Sequence, residues 1–141
     1  MTCTIMQFLL LVYLNEKAWH ELPEPEKARV LEECRAYGQE MTASKHLLAG
    51  APLVDSANAV TIRTPNGRAV FTDGPFAETK EVLGGYHLVE CTDRAEAIRL
   101  GQRFPGLRVG MTIEVRQVVP GDSLCHGIWC TEKATTKPAP I

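Results

Sequence analysis

No charge of one sign dominates this chain: 15 lysines and arginines stand against 17 aspartates and glutamates, a formal net charge of −2. A protein that binds nucleic acid or an anionic membrane surface carries a basic excess, so neither is expected as a partner. Cysteines are few and odd in number: Cys3, Cys34, Cys91, Cys125 and Cys130. Secreted disulfide scaffolds show even counts at denser spacing, so reduced thiols in a cytosol are expected. The apolar run Ile5–Leu14 has no basic residue before it and no small-residue cleavage site after it. It also falls short of the about 20 residues that a membrane helix needs. The chain is therefore read as cytoplasmic, with no membrane partner. Phosphate-cradling glycine loops, dinucleotide fingerprints and Ser/His/Asp or Cys/His nucleophile arrangements are missing, and no cofactor is implied. Cys125-His126 with Cys130 lacks both a standard ligand spacing and a fourth ligand, so no metal is expected there.

What is present reads as one domain. The 141 residues are 45 % hydrophobic, enough to bury a core without staples. Ile5 to Tyr13 reads as a strand, apolar on both faces. Helices can cover one face, and the other needs a second sheet, which favours a dimer whose sheets face each other. Asn15 to Leu22 reads as a turn. Pro23-Glu24-Pro25-Glu26 then opens a helix, with proline and carboxylates suited to its first turn. That helix runs to about Ala43, with Ala28, Leu31, Cys34, Gly38 and Met41 as its apolar face. A short strand follows over His46–Leu48. Ala59–Thr64 and Ala69–Asp73 are strands joined through Asn66-Gly67, a strong two-residue hairpin signal. That turn pairs Ile62 with Phe71 and Val60 with Asp73, putting these four on one face and Asp73 at an apolar edge where its pKa would shift. Tyr86–Cys91 is the next strand. Asp93-Arg94-Ala95-Glu96 resembles a capping box opening a helix with Ala97, Ile98, Gly101 and Phe104 inward. Thr112–Val118 closes the fold, with Ile113 and Val115 on one face and Glu114 and Arg116 on the other. Residues 1–119 form the domain, and 120–141 read as an irregular tail.

The stretch Thr72 to Tyr86 organises the rest. Gly74-Pro75 forbids continuing a helix, and Gly84-Gly85 suggests a bulge or a close backbone approach. Asp73 through Glu81, Asp-Gly-Pro-Phe-Ala-Glu-Thr-Lys-Glu, followed by Leu83-Gly84-Gly85-Tyr86, resembles the signature of the DGPF-domain proteins of the YCII-related family. The likeness extends over about residues 5 to 118, through Met6–Tyr13, Ala59–Arg63, Asp93–Ala97 and Ile113–Arg116. It implies an α+β, ferredoxin-like βαββαβ fold with an inserted β-hairpin, dimerising through its sheet as a dimeric α/β barrel.

Asp73 and His87 are the candidate catalytic residues: a carboxylate where a strand stops, and an imidazole that titrates near neutrality. Asp73 could equally cap the backbone of its own turn. Glu78 and Lys80 on the loop, Arg63 on the hairpin, and Arg116 and Tyr13 on the sheet are candidate ligand contacts. His20 and His46 read as surface or capping residues. Smaller YCII-related proteins carry a proposed histidine–aspartate pair with its histidine in the first helix. Pro23 to Ala43 contains no histidine, so that half is expected to be missing, with Asp55 one match for the acidic half. The function expected is a small-metabolite binder, with a lyase or isomerase step acting by acid–base chemistry. The alternative is a non-catalytic regulatory partner of alternative sigma factors, whose genes often neighbour those of the family. Catalysis needs Asp73 in a concave site, whereas docking needs Phe76 and Lys80 exposed.

Overall fold

A computed structural model describes residues 5–121. Strand β1 (Met6–Leu14) leads into a short helix α1 (Glu16–Glu21), a long helix α2 (Glu24–Ala43) and strand β2 (Leu47–Pro52). A 3-10 turn at Ser56–Asn58 precedes the hairpin strands β3 (Val60–Arg63) and β4 (Val70–Asp73). Then come β5 (Val82–Cys91), α3 (Arg94–Gln102), a 3-10 segment at Pro105–Val109 and β6 (Thr112–Gln117). Four strands make one antiparallel sheet in the order β2-β5-β1-β6, the arrangement of a split βαβ pair, while among the described residues β3 and β4 pair only with each other. This is the ferredoxin-like α+β fold with its inserted hairpin.

Both helices that close the domain lie on one side of the sheet. Phe8, Leu10 and Val12 of β1 and Val89 and Cys91 of β5 point to that side. They meet Tyr37 and Met41 of α2, Ala97 and Leu100 of α3, and Phe104. Each such side chain contributes about 1.5–3 kcal/mol by leaving water. Tyr37 also donates its hydroxyl to the Leu100 carbonyl at 2.7 Å, satisfying its buried polar atom. Gly101 lets α3 approach the sheet, since a Cβ there would meet Ile113 at 3.3 Å and Val115 at 3.5 Å. Those two residues therefore face the helix, as their spacing predicts.

The capping motif on α3 is present: Asp93 Oδ1 accepts from Glu96 N–H at 2.8 Å, and the Glu96 carboxylate reaches back to the Thr92 N–H at 2.9 Å. The hairpin register is the expected one, Val60 opposite Asp73 and Ile62 opposite Phe71. Gly84 is the bulge: Val12 pairs with Gly85 and Tyr13 with Leu83, leaving Gly84 over. A Cβ on Gly84 would lie 2.0 Å from Leu14 Cδ2.

Four local expectations are corrected. Asn15 to Leu22 holds a helix rather than a turn, with Asn15 Oδ1 accepting from Ala18 N–H at 3.0 Å as its cap. The buried stripe of α2 is Val30, Tyr37 and Met41 with Cys34 partly covered, whereas Ala28 and Leu31 are exposed. Strand β2 runs on through Gly50-Ala51-Pro52 because the β5 edge beside it still offers partners. The apolar face of the hairpin lies open, with Ile62 62 % and Phe71 67 % exposed, so Asp73 at its end is exposed too. Residues 122–141, with Cys125, His126 and Cys130, lie outside the described residues.

Candidate functional site

On the helix side of the sheet, the start of β5, the edge strand β2 and helices α1 and α2 leave a groove of about 470 Å³. Its walls are apolar: Trp19, Leu31, Cys34 and Leu53, with Val12 and Phe104 deeper. Leu31 is exposed because it forms this wall rather than the core. Cys34 is half-buried there, and desolvation raises its thiol pKa, which keeps it protonated and unreactive.

His87 stands on the floor of the groove. It projects from β5 opposite Leu10 and Gly50, toward the helices. Its ring meets Tyr37 and Phe104 edge-on, at centroid distances of 5.6 and 5.9 Å. Gly50 leaves the ring its place, since a Cβ would come within 3.2 Å of His87 Cδ2 and 2.9 Å of the Tyr86 carbonyl oxygen. The buried Nδ1 has no hydrogen-bond partner among the described residues, and burial pushes the imidazole pKa below its usual 6.5. The ring is therefore neutral at physiological pH, with an unused polar atom.

Glu16 and Asp55 border the groove, and His20 stands beside Asp55. His20, in the last turn of α1, has its Nε2 2.9 Å from Asp55 Oδ2. One helical turn earlier, the Glu16 carboxylate accepts the Ser56 N–H with both oxygens, at 3.1 and 3.2 Å. These contacts tie α1 to the segment after β2. The His20 and Asp55 side chains are half exposed. The expectation that the first helix carries no histidine is thus corrected. The first helix begins at Glu16, not at Pro23, and it carries His20. Its spacing from Glu16, four residues on one helical face, was the available signal; a six-residue helix shows no apolar period that would reveal it.

The other candidates divide between two places. Tyr13 borders a second groove, of about 630 Å³, between the sheet and the loop after β4, with Val60, Phe76 and Leu83. Arg63 donates to the Phe76 carbonyl at 3.4 Å and so braces that loop. Asp73, Glu78 and Lys80 are exposed and border neither groove. Arg116 lies 2.5 Å from Glu114 on the face of the sheet that no helix covers among the described residues, the face of Tyr13 and Leu11. The structure thus brings His87 toward a groove and leaves Asp73 apart from it.

The family model described as YCII-related domain matches residues 6–121. An uncharacterised protein of Rhizobium meliloti is 33 % identical over 93 residues, which cover 66 % of this chain and 75 % of that protein.

Proposed function

The chain belongs to the YCII-related family, and from that premise we propose that it binds a small, largely apolar metabolite in the groove and exchanges a proton with it through His20 and Asp55. The observation that carries this reading is the 2.9 Å contact between His20 Nε2 and Asp55 Oδ2 at the border of an apolar space of about 470 Å³. A carboxylate accepting from Nε2–H fixes the tautomer, leaves the lone pair on Nδ1, and stabilises the imidazolium once that nitrogen has taken a proton. Such a pair suits a lyase or isomerase step, in which a proton leaves one position of the substrate. Neutral His87 supplies a hydrogen-bond partner for a polar group of the ligand, and the apolar walls supply affinity. Asp73, Glu78, Lys80 and Arg63 belong in this reading to the shape of the neighbouring loop.

The protein acts as a cytoplasmic homodimer in this proposal. Among the described residues no helix is long and apolar enough to cross a membrane. The uncovered sheet face, with Leu9, Leu11, Tyr86 and Leu88 only half-buried, supports pairing with a second copy.

The test is thermal unfolding against a metabolite library, with His20→Gln and Asp55→Asn beside the wild type. A ligand at about 100 times its dissociation constant adds about 2.7 kcal/mol, a rise on the order of 5 °C for a domain of this size. Turnover of that compound should fall about 10²- to 10⁴-fold in either variant while binding persists. Turnover unchanged in His20→Gln would sink the reading. A second reading is favoured by the exposure of Phe76, at 77 %, and of Lys80. In it the loop Phe76–Leu83 docks on an alternative sigma factor. A library without hits, together with sigma-factor retention lost in Phe76→Ser, would favour it.

A further inference from the structure

Glu16, His20 and Asp55 each offer one ligand atom, and these atoms all lie within 4.8 Å of one another. We propose that the three residues bind one divalent transition-metal cation at the border of the groove. This rests on the proton-transfer reading only in sharing two of its residues; Glu16 has no part in that pair.

The donor set is one imidazole nitrogen and two carboxylate oxygens, which suits manganese, iron(II), cobalt or zinc rather than a thiol-loving ion. Distances agree. Donors 2.9 Å apart, as His20 Nε2 and Asp55 Oδ2 are, subtend about 90° at an ion that each binds at about 2.1 Å. That is the angle of two neighbouring octahedral positions. Glu16 stands one turn before His20 on the same helix face, and its ligand oxygen lies within 4.8 Å of both other donor atoms. The Ser56 N–H already holds that carboxylate in place, as outer hydrogen bonds hold metal ligands elsewhere.

Charge points the same way. Two carboxylates against one imidazole leave the cluster negative even when His20 is protonated, an excess that a cation neutralises. On binding, the proton of Nε2 moves to Nδ1, or to water if the ring was imidazolium, and Nε2 gives its lone pair to the ion. Since Glu16 and Asp55 border the groove, the remaining coordination positions open to water or to an oxygen of the groove's ligand.

The test titrates the full chain with Mn²⁺, following free ion by electron paramagnetic resonance, and with Co²⁺, following its absorption. Wild type should take up one Mn²⁺ per chain, and Glu16→Gln, His20→Gln and Asp55→Asn should each weaken it at least about tenfold. Glu16→Gln keeps an oxygen for the Ser56 N–H, so its fold persists, which its melting temperature checks. Cobalt bound here shows d–d bands without a sulfur charge-transfer band; that band would assign the ion to cysteines and overturn the proposal. Saturable binding absent from wild type, or unchanged in Glu16→Gln, also overturns it. Turnover of a groove ligand by metal-free protein would keep the proton-transfer reading even if no cation binds. Cation uptake lost in Glu16→Gln, with no groove ligand found, would keep the site and drop that reading.

Discussion

At the first turn of α3 the Glu96 carboxylate accepts the Thr92 hydroxyl at 2.5 Å and the Thr92 N–H at 2.9 Å, and it also faces the His46 ring. These contacts, led by the hydroxyl, hold its pKa at about 2 against 4.5 in the unfolded chain. Stability from Glu96 is therefore present above pH 4.5 and is lost as pH falls from there toward 2. His87 works from the other side: its folded pKa lies below 6.5 through desolvation, so the unfolded chain takes the proton first. Stability falls as pH drops below about 6.5 and levels off below the lowered folded value. Denaturant midpoints measured across pH 2–8 should show both limbs. His87→Phe, which keeps the packing against Tyr37 and Phe104, should flatten only the upper limb, and Glu96→Gln only the lower. A single limb in wild type would contradict one assignment or the other. Single residues were unevenly legible. Asn66-Gly67 predicted the hairpin register because a two-residue turn leaves the flanking strands one pairing. His20 was hidden because its partner Asp55 is 35 positions away, and only tertiary structure brings the two together.

The hairpin β3–β4 is an element whose hydrogen bonds run almost entirely within itself and its base. Gly74 N–H donates to the Ala59 carbonyl at 2.6 Å and the Thr61 hydroxyl to the Gly74 carbonyl at 2.8 Å. Its apolar face is open, and a lone two-stranded ribbon is marginal in water. Backbone amides of 60–63 and 70–73 should therefore exchange with deuterium roughly 100-fold faster than those of β1, which is paired on both sides. Equal protection would mean that something covers the ribbon in solution. Helix α2 shows why periodicity alone misassigned a face. It carries apolar residues on two stripes, one into the core through Val30, Tyr37 and Met41, the other along the groove through Leu31. Apolar spacing records that a stripe is apolar, not whether it packs into the core or lines an open groove.

For the whole molecule, β1 was informative beyond its own length. Its two apolar faces called for two covers, and among the described residues helices cover one alone. If a second copy supplies the other, Leu11→Glu should raise the dimer dissociation constant by well over tenfold, since it places a charge beside Glu114 at the centre of the uncovered face. Sedimentation measured over a concentration series reads this, and a wild type that sediments as a monomer throughout would dispose of the pairing. The base of the inserted segment has a separate consequence. Pro52 pairs with Gly85, and Leu53 N–H donates to the Gly84 carbonyl at 2.8 Å, so residues 54–81 leave and rejoin the sheet at one point. Every buried hydrophobic residue of the core lies outside that span, while Asp55 and Asp73 lie within it. The core is thus assembled without the inserted segment, whereas the cluster draws Glu16 and His20 from the scaffold and only Asp55 from the segment. A change of length or sequence in the segment can therefore leave the core packing untouched while altering what stands opposite His20 and Glu16.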